Sequence, residues 1–112
     1  MCGRFFVDEV KGIPKFFDVS AKEMESNFNV SPSQNCAIIK DEGLTSMQWG
    51  LVPSWVKDSK IKPINAKAET IREKPFFRNA FKQRRCIVPA SGFYEWQGTK
   101  GDKTPFFYLS DV

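Results

Sequence analysis

The sequence predicts an α+β fold built mainly on antiparallel β-sheet, with short helices. Three observations lead there. The apolar segments are only four to eight residues long, are rich in Phe, Ile, Val, Tyr and Trp, and are separated by turn residues. Two of them, near the C-terminus, flank the polar, glycine-containing stretch 98–103, a hairpin signal. Helix-like stretches are confined to two short regions.

In chain order, Arg4–Val7 reads as the first strand, followed by a helix over 8–17 with a break near Gly12 to Pro14. Strands follow at 36–40 and 45–52. A second helix is expected across 70–82, interrupted by Pro75. Strands at 85–88, 92–97 and 105–109 complete the pattern, the last two joined as the hairpin. No repeat, low-complexity tract or Gly/Ser linker divides the chain, so residues 1–112 are expected to form one domain. A domain of this size buries roughly two-thirds of its unfolded surface. The last strand-like run ends three residues before the C-terminus. Its apolar edge is expected to be open, to be covered by a second chain or by further sequence.

Charge is unevenly distributed. Residues 57–85 hold ten Lys or Arg against three Asp or Glu, an excess of seven, while the rest of the chain has seven basic and ten acidic residues. An anionic partner such as nucleic acid fits that segment; a solvated basic face is the plainer reading of the same charges. No apolar stretch reaches the ~18 residues of a membrane span, and no basic leader precedes an apolar run. A cytoplasmic, and in a bacterium nucleoid-associated, location is therefore expected. Three cysteines without C-x-x-C spacing fit a reducing compartment. The absence of histidine removes His-based triads and His-containing zinc sites, and no metal or cofactor is expected.

Four features can carry chemistry. In Met1-Cys2-Gly3-Arg4, cysteine is small enough for the initiator methionine to be removed. Cys2 would then expose an α-amine beside its thiol. Such an aminothiol traps aldehydes: the amine gives an imine, and the thiol closes a thiazolidine. The competing reading is an ordinary second residue. Asn65 lies among small and apolar neighbours, where its amide needs partners; it either caps a following helix or orients a backbone or a nucleophile. Glu95, between Tyr94 and Trp96, suits a general acid/base if desolvated, and a solvent-facing strand position if not. Trp49 and Trp55 bracket a Gly and a Pro, as either a stacking surface for bases or a corner of the core.

Taken together, these residues resemble the SRAP (SOS-response-associated peptidase) domain family. The matching pieces are Met-Cys-Gly-Arg-Phe at 1–5, Asn29-Val30-Ser31-Pro32, the segment 49–55, Asn65-Ala66-Lys67-Ala68-Glu69-Thr70 and the run from Arg85 to Trp96. The order and spacing of these five run through nearly the whole chain. The resemblance implies an SRAP-like fold, here an open or incomplete barrel, and an abasic-site sensor for single-stranded DNA in the DNA-damage response. Cys2 would be the crosslinking nucleophile, Asn65 the residue positioning it, and Glu95 the acid/base. Arg4 and Lys67 would contact phosphates near the lesion, with Lys standing where the family usually has Arg and so lacking the planar bidentate fork. Trp49, Trp55, Arg78 and Arg85 complete the DNA-binding set. The family name also implies a peptidase-like N-terminal processing. Family members are longer, with a C-terminal half that carries a histidine; the chain resembles the N-terminal half and holds no histidine. Two alternatives stand beside the crosslinker: a non-covalent single-stranded-DNA module and a self-processing cysteine peptidase.

Overall fold

The computed structural model describes residues 2–8, 17, 26–58 and 60–109. Two antiparallel sheets dominate it, and they do not close into a barrel. The first contains β1 (Arg4–Val7), β2 (Asn27–Val30), β5 (Gly92–Thr99) and β6 (Asp102–Leu109), in the order β2-β1-β5-β6. The second is the hairpin of β3 (Asn35–Lys40) and β4 (Gly43–Gln48). A short helix, α1 (Arg78–Gln83), lies between β4 and β5 among the described residues. The fold class is the one expected. No helix among the described residues is long and apolar enough to cross a membrane.

The core forms where the two sheets meet. Phe5, Val7 and Val30 of the first sheet pack with Cys36, Ala37, Ile38, Ile39 and Leu44 of the second. Cys2 and Trp49 lie partly buried against this cluster. Phe6 points the other way, into the ring of Tyr94 at 5.5 Å, as strand alternation requires.

Several elements differ from the expected ones, each for a local reason. β2 was not expected: Asn27-Phe28-Asn29-Val30 has only two apolar residues, and it becomes a strand by pairing with β1. β4 begins at Gly43, before the expected 45, and it ends at Gln48 because Gly50 turns the backbone at φ 127°. Residues 85–88 make a single bridge rather than a strand. Ile87 exchanges both backbone hydrogen bonds with Ile39, at 2.8 and 3.0 Å. The next donor on that side is Pro89, which has no N–H, and the ladder ends. The expected helix over 70–82 reduces to Arg78–Gln83, preceded by separate turns on Thr70 and Lys74, since Pro75 interrupts the bonding. The helix expected over 8–17 lies almost wholly outside the described residues.

The C-terminal hairpin is longer and tighter than expected. β5 and β6 pair from Gly92↔Leu109 to Thr99↔Asp102, so the loop is only Lys100-Gly101, with Gly101 at φ 90°. β6 has β5 on one side and is the outer strand of the sheet; all eight of its residues are exposed. Phe107 and Leu109 reach 64% exposure each, so the outer strand presents apolar side chains.

Candidate functional site

The N-terminal end of β1 is held by contacts from three distant parts of the chain. Cys2 precedes β1 and is half-buried against the core, its thiol donating to the carbonyl of Arg4 at 3.4 Å. Asn65 Nδ2 donates to the Cys2 carbonyl at 2.8 Å. Asn65 therefore does not cap a helix: no helix follows it until Arg78. The Trp49 indole N–H donates to the carbonyl of Ile64 at 2.9 Å, which fixes the backbone next to Asn65. Trp49 in turn packs on Phe5 of β1, with ring centroids 5.4 Å apart. Phe5, Trp49, Ile64, Asn65 and Cys2 thus form a closed circuit, and each bond limits the freedom of the next.

Arg4 is oriented rather than loose. Its guanidinium donates to Asn29 Oδ1 at 3.0 Å, and Arg4 sits opposite Tyr94 in the β1–β5 register. Sequence reading passed over Asn29 as an individual partner, although Asn29-Val30-Ser31-Pro32 was one of the matching pieces. Tyr94 bonds across the sheet as well, its hydroxyl donating to the carbonyl of Phe28 at 2.8 Å.

Glu95 follows Tyr94, one step further along β5 toward the level of Cys2. Cross-strand partners share a face, so the pairing Phe5↔Phe93 places Glu95 on the Phe5 side of the sheet, half-buried. The strand is anchored at Ser91-Gly92. Ser91 N donates to the Phe6 carbonyl at 2.9 Å, and its hydroxyl accepts from Asp8 N at 2.9 Å. A side chain at Gly92 would meet the Tyr108 carbonyl at 2.2 Å and the Phe6 ring at 2.6 Å, so only glycine lets β5 close on both neighbours.

The remaining candidates are spread along the basic segment. Lys67 is exposed, two residues beyond Asn65. Trp55 is exposed with its ring edge-on to Phe76 at 5.7 Å, whereas Trp49 is a corner of the core. Arg78 is exposed on α1, and Arg85 lies over the Phe81 ring at 4.4 Å. An open cleft of about 430 Å³ runs beside this ensemble, lined by Asn65, Trp49, Phe5, Cys36, Cys86 and other mainly apolar side chains. Cys2 does not line it, but the other members of the circuit, Phe5, Trp49, Ile64 and Asn65, do. Burial, and next the charge of a nearby Cys86 thiolate, push the Cys36 thiol above its ordinary value.

The description SOS response associated peptidase (SRAP) belongs to a family model that matches residues 1–111. The chain belongs to this family. Among SRAP relatives, the abasic site processing protein YoaM of Bacillus subtilis is 45% identical, across 87% of this chain and 48% of that protein. The abasic site processing protein HMCES of Xenopus tropicalis is 31% identical, across 84% of this chain and 33% of its own length. A crystal structure of a protein from Bacteroides thetaiotaomicron superposes with a TM-score of 0.85 at 25% identity, covering 99% of this chain and 56% of that one. This SRAP chain spans about half the length of the Bacillus subtilis relatives it matches.

Proposed function

We propose that the chain recognises abasic sites in single-stranded DNA and captures them covalently through Cys2 once Met1 has been removed. The observation that carries the reading is the Asn65–Cys2 hydrogen bond, in a chain whose relatives are named abasic site processing proteins. It ties the residue bearing amine and thiol to the segment bearing Lys67, within the stretch that holds the excess positive charge.

The chemistry balances without a cofactor. The ring-opened abasic sugar offers an aldehyde. The Cys2 amine adds to it and water leaves, giving an imine; the thiol then adds to the imine carbon and its proton passes to nitrogen, giving a thiazolidine. Glu95 serves as the acid that protonates the departing hydroxyl and the base that relays the thiol proton. Asn65 positions the Cys2 backbone. Arg4, held by Asn29, and Lys67 contact the phosphates beside the lesion. A second chain covers the apolar outer edge of β6, and the protein acts where DNA is damaged, in the nucleoid of a bacterium.

The experiment is incubation of Met1-free protein with an abasic single-stranded oligonucleotide, followed by a denaturing gel. A heat-stable shifted band is expected. Binding without a shifted band would reduce the chain to a non-covalent DNA module. Peptide cleavage without DNA binding would point to a self-processing peptidase instead.

A further inference from the structure

Two arginines share one aromatic ring. The guanidinium carbons of Arg72 and Arg85 lie 5.4 and 4.4 Å from the centroid of Phe81. Both distances are within the ~6 Å over which a ring's negative face attracts a cation. Arg72 comes from the turns before α1, Phe81 from α1 itself, and Arg85 from just beyond its end. Phe81 is half-buried and both arginines are exposed. Among the described residues, neither arginine has a salt-bridge partner.

Two like charges held against one ring repel each other, and the ring face offsets only part of that cost. A guanidinium over a ring uses its π surface for the contact and keeps its in-plane N–H donors for another partner. The arrangement thus presents two pre-oriented donor forks with no carboxylate to satisfy them. An anion with oxygens on more than one side fits such a pair, as a phosphodiester has. Position agrees with this. Cys86, the neighbour of Arg85, lines the same cleft as Asn65, and Asn65 holds the Cys2 carbonyl. Arg85 thus stands on the cleft's side of the site, directly before a residue that lines it.

We propose that Arg72 and Arg85, clamped on Phe81, form a phosphodiester seat for nucleic acid, separate from the contacts beside the reacting sugar. The proposal rests on the DNA-binding reading above and adds the place where the strand is held away from the chemistry. The ring makes it a seat rather than a patch of charge.

The test is equilibrium binding of undamaged oligothymidylate over a salt series. It uses the full chain, the double variant Arg72→Ala/Arg85→Ala, the ring variant Phe81→Leu, and the control pair Lys57→Ala/Lys60→Ala. Circular dichroism and the thermal midpoint of each variant establish that it folds. Each phosphate neutralised on a single strand contributes about 0.7 to the log–log salt slope, so the double variant should lose about 1.4. Phe81→Leu keeps both charges and should weaken binding several-fold with little change in slope. The lysine pair removes the same charge and should change the slope by less than the arginine pair does. A double variant with the parental slope, or a slope loss equal to that of the lysine pair, would overturn the seat while leaving DNA binding intact. A Phe81→Leu variant that folds and binds at parental strength would overturn the role of the ring, and Arg72→Lys/Arg85→Lys at parental affinity would do the same for the planar forks. A parent chain showing no salt-dependent binding would instead remove the DNA-binding reading itself, and the seat with it.

Discussion

The side-chain amide of Asn65 donates a 2.8 Å hydrogen bond to the backbone carbonyl of Cys2, across 63 residues of sequence. A bond to a backbone carbonyl fixes the chain rather than the side chain. Asn65 therefore constrains the backbone at Cys2 and leaves the Cys2 thiol out of that bond.

Asn65→Ala should lower stability by about 1 kcal/mol, the usual net worth of such a bond. Asn65→Asp should cost more, because it sets a carboxylate oxygen against the Cys2 carbonyl where a donor stood. Thermal or urea melts give the stability change. If Asn65 positions Cys2, adduct formation should slow in both variants by more than DNA affinity falls. Parental crosslinking rates in a destabilised Asn65→Ala chain would leave the bond a purely structural tie.

How much of this was legible in the sequence depends on where each signal lies. The strands at Arg4–Val7 and Asn35–Lys40 show in the chain because their residues are apolar in runs, and both supply the core. β2 does not show, because its strand character comes from its partner β1 rather than from Asn27 or Asn29. The segment 85–88 looks like a strand by composition, but a strand needs donors on both sides, and Pro89 removes the next one. The same division holds at the site. Cys2, Asn65 and Glu95 are visible as residue types in suggestive surroundings. Whether Asn65 caps a helix or holds Cys2 is a question of tertiary contact, and only the fold answers it. The Arg72–Phe81–Arg85 group falls in the segment singled out for its charge, yet that Arg72 and Arg85 share one ring is a tertiary relationship the sequence alone does not show.

Glu95→Gln keeps the size and hydrogen-bonding reach of the side chain but removes the proton it can carry. If Glu95 is the acid/base of the proposed crosslinking, the proton transfers of imine and thiazolidine formation depend on this carboxylate. Loss of a positioned acid/base costs roughly 10²–10⁴-fold in rate. Single-turnover crosslinking of Glu95→Gln should fall within that range, with affinity for undamaged strand nearly unchanged. Crosslinking at the parental rate would show Glu95 to be a strand residue without a chemical role.

Cys36 gives the fold a dependence on alkaline pH. Burial, and after it the charge of a nearby Cys86 thiolate, raise the Cys36 thiol in the folded state. The neutral thiol is the form the core accepts. Its contribution to stability is fully present below the unfolded thiol value of about 8.5, and is lost as pH rises through the higher folded value. Urea midpoints should therefore fall from about pH 8.5 upward, and Cys36→Val should flatten that decline. Exposed Cys86 should react with an alkylating reagent before buried Cys36 does. An identical alkaline decline in Cys36→Val would assign the effect to other groups.

The N-terminus decides between the covalent reading and simple binding. A thiazolidine needs amine and thiol on one residue, so losing either should abolish the stable product. Cys2→Ser leaves an amine that makes only an imine, trapped by borohydride and lost on heating. Retained Met1 locks the amine in a peptide bond and leaves a thiol whose hemithioacetal is equally reversible. Neither change touches Arg4, Lys67 or the basic segment, so affinity for undamaged single strands should stay at the parental level in both. The two failures should also look different: borohydride fixes the Cys2→Ser adduct at residue 2, whereas any adduct it traps with Met1 retained maps by mass spectrometry to the Met1 amine or a lysine and not to residue 2. Mass spectrometry of the protein assigns the N-terminus, and a denaturing gel with and without borohydride reads the adduct. A heat-stable adduct from protein shown to retain Met1 would end the aminothiol mechanism and leave Cys2 as a residue that packs against the core and takes the Asn65 bond.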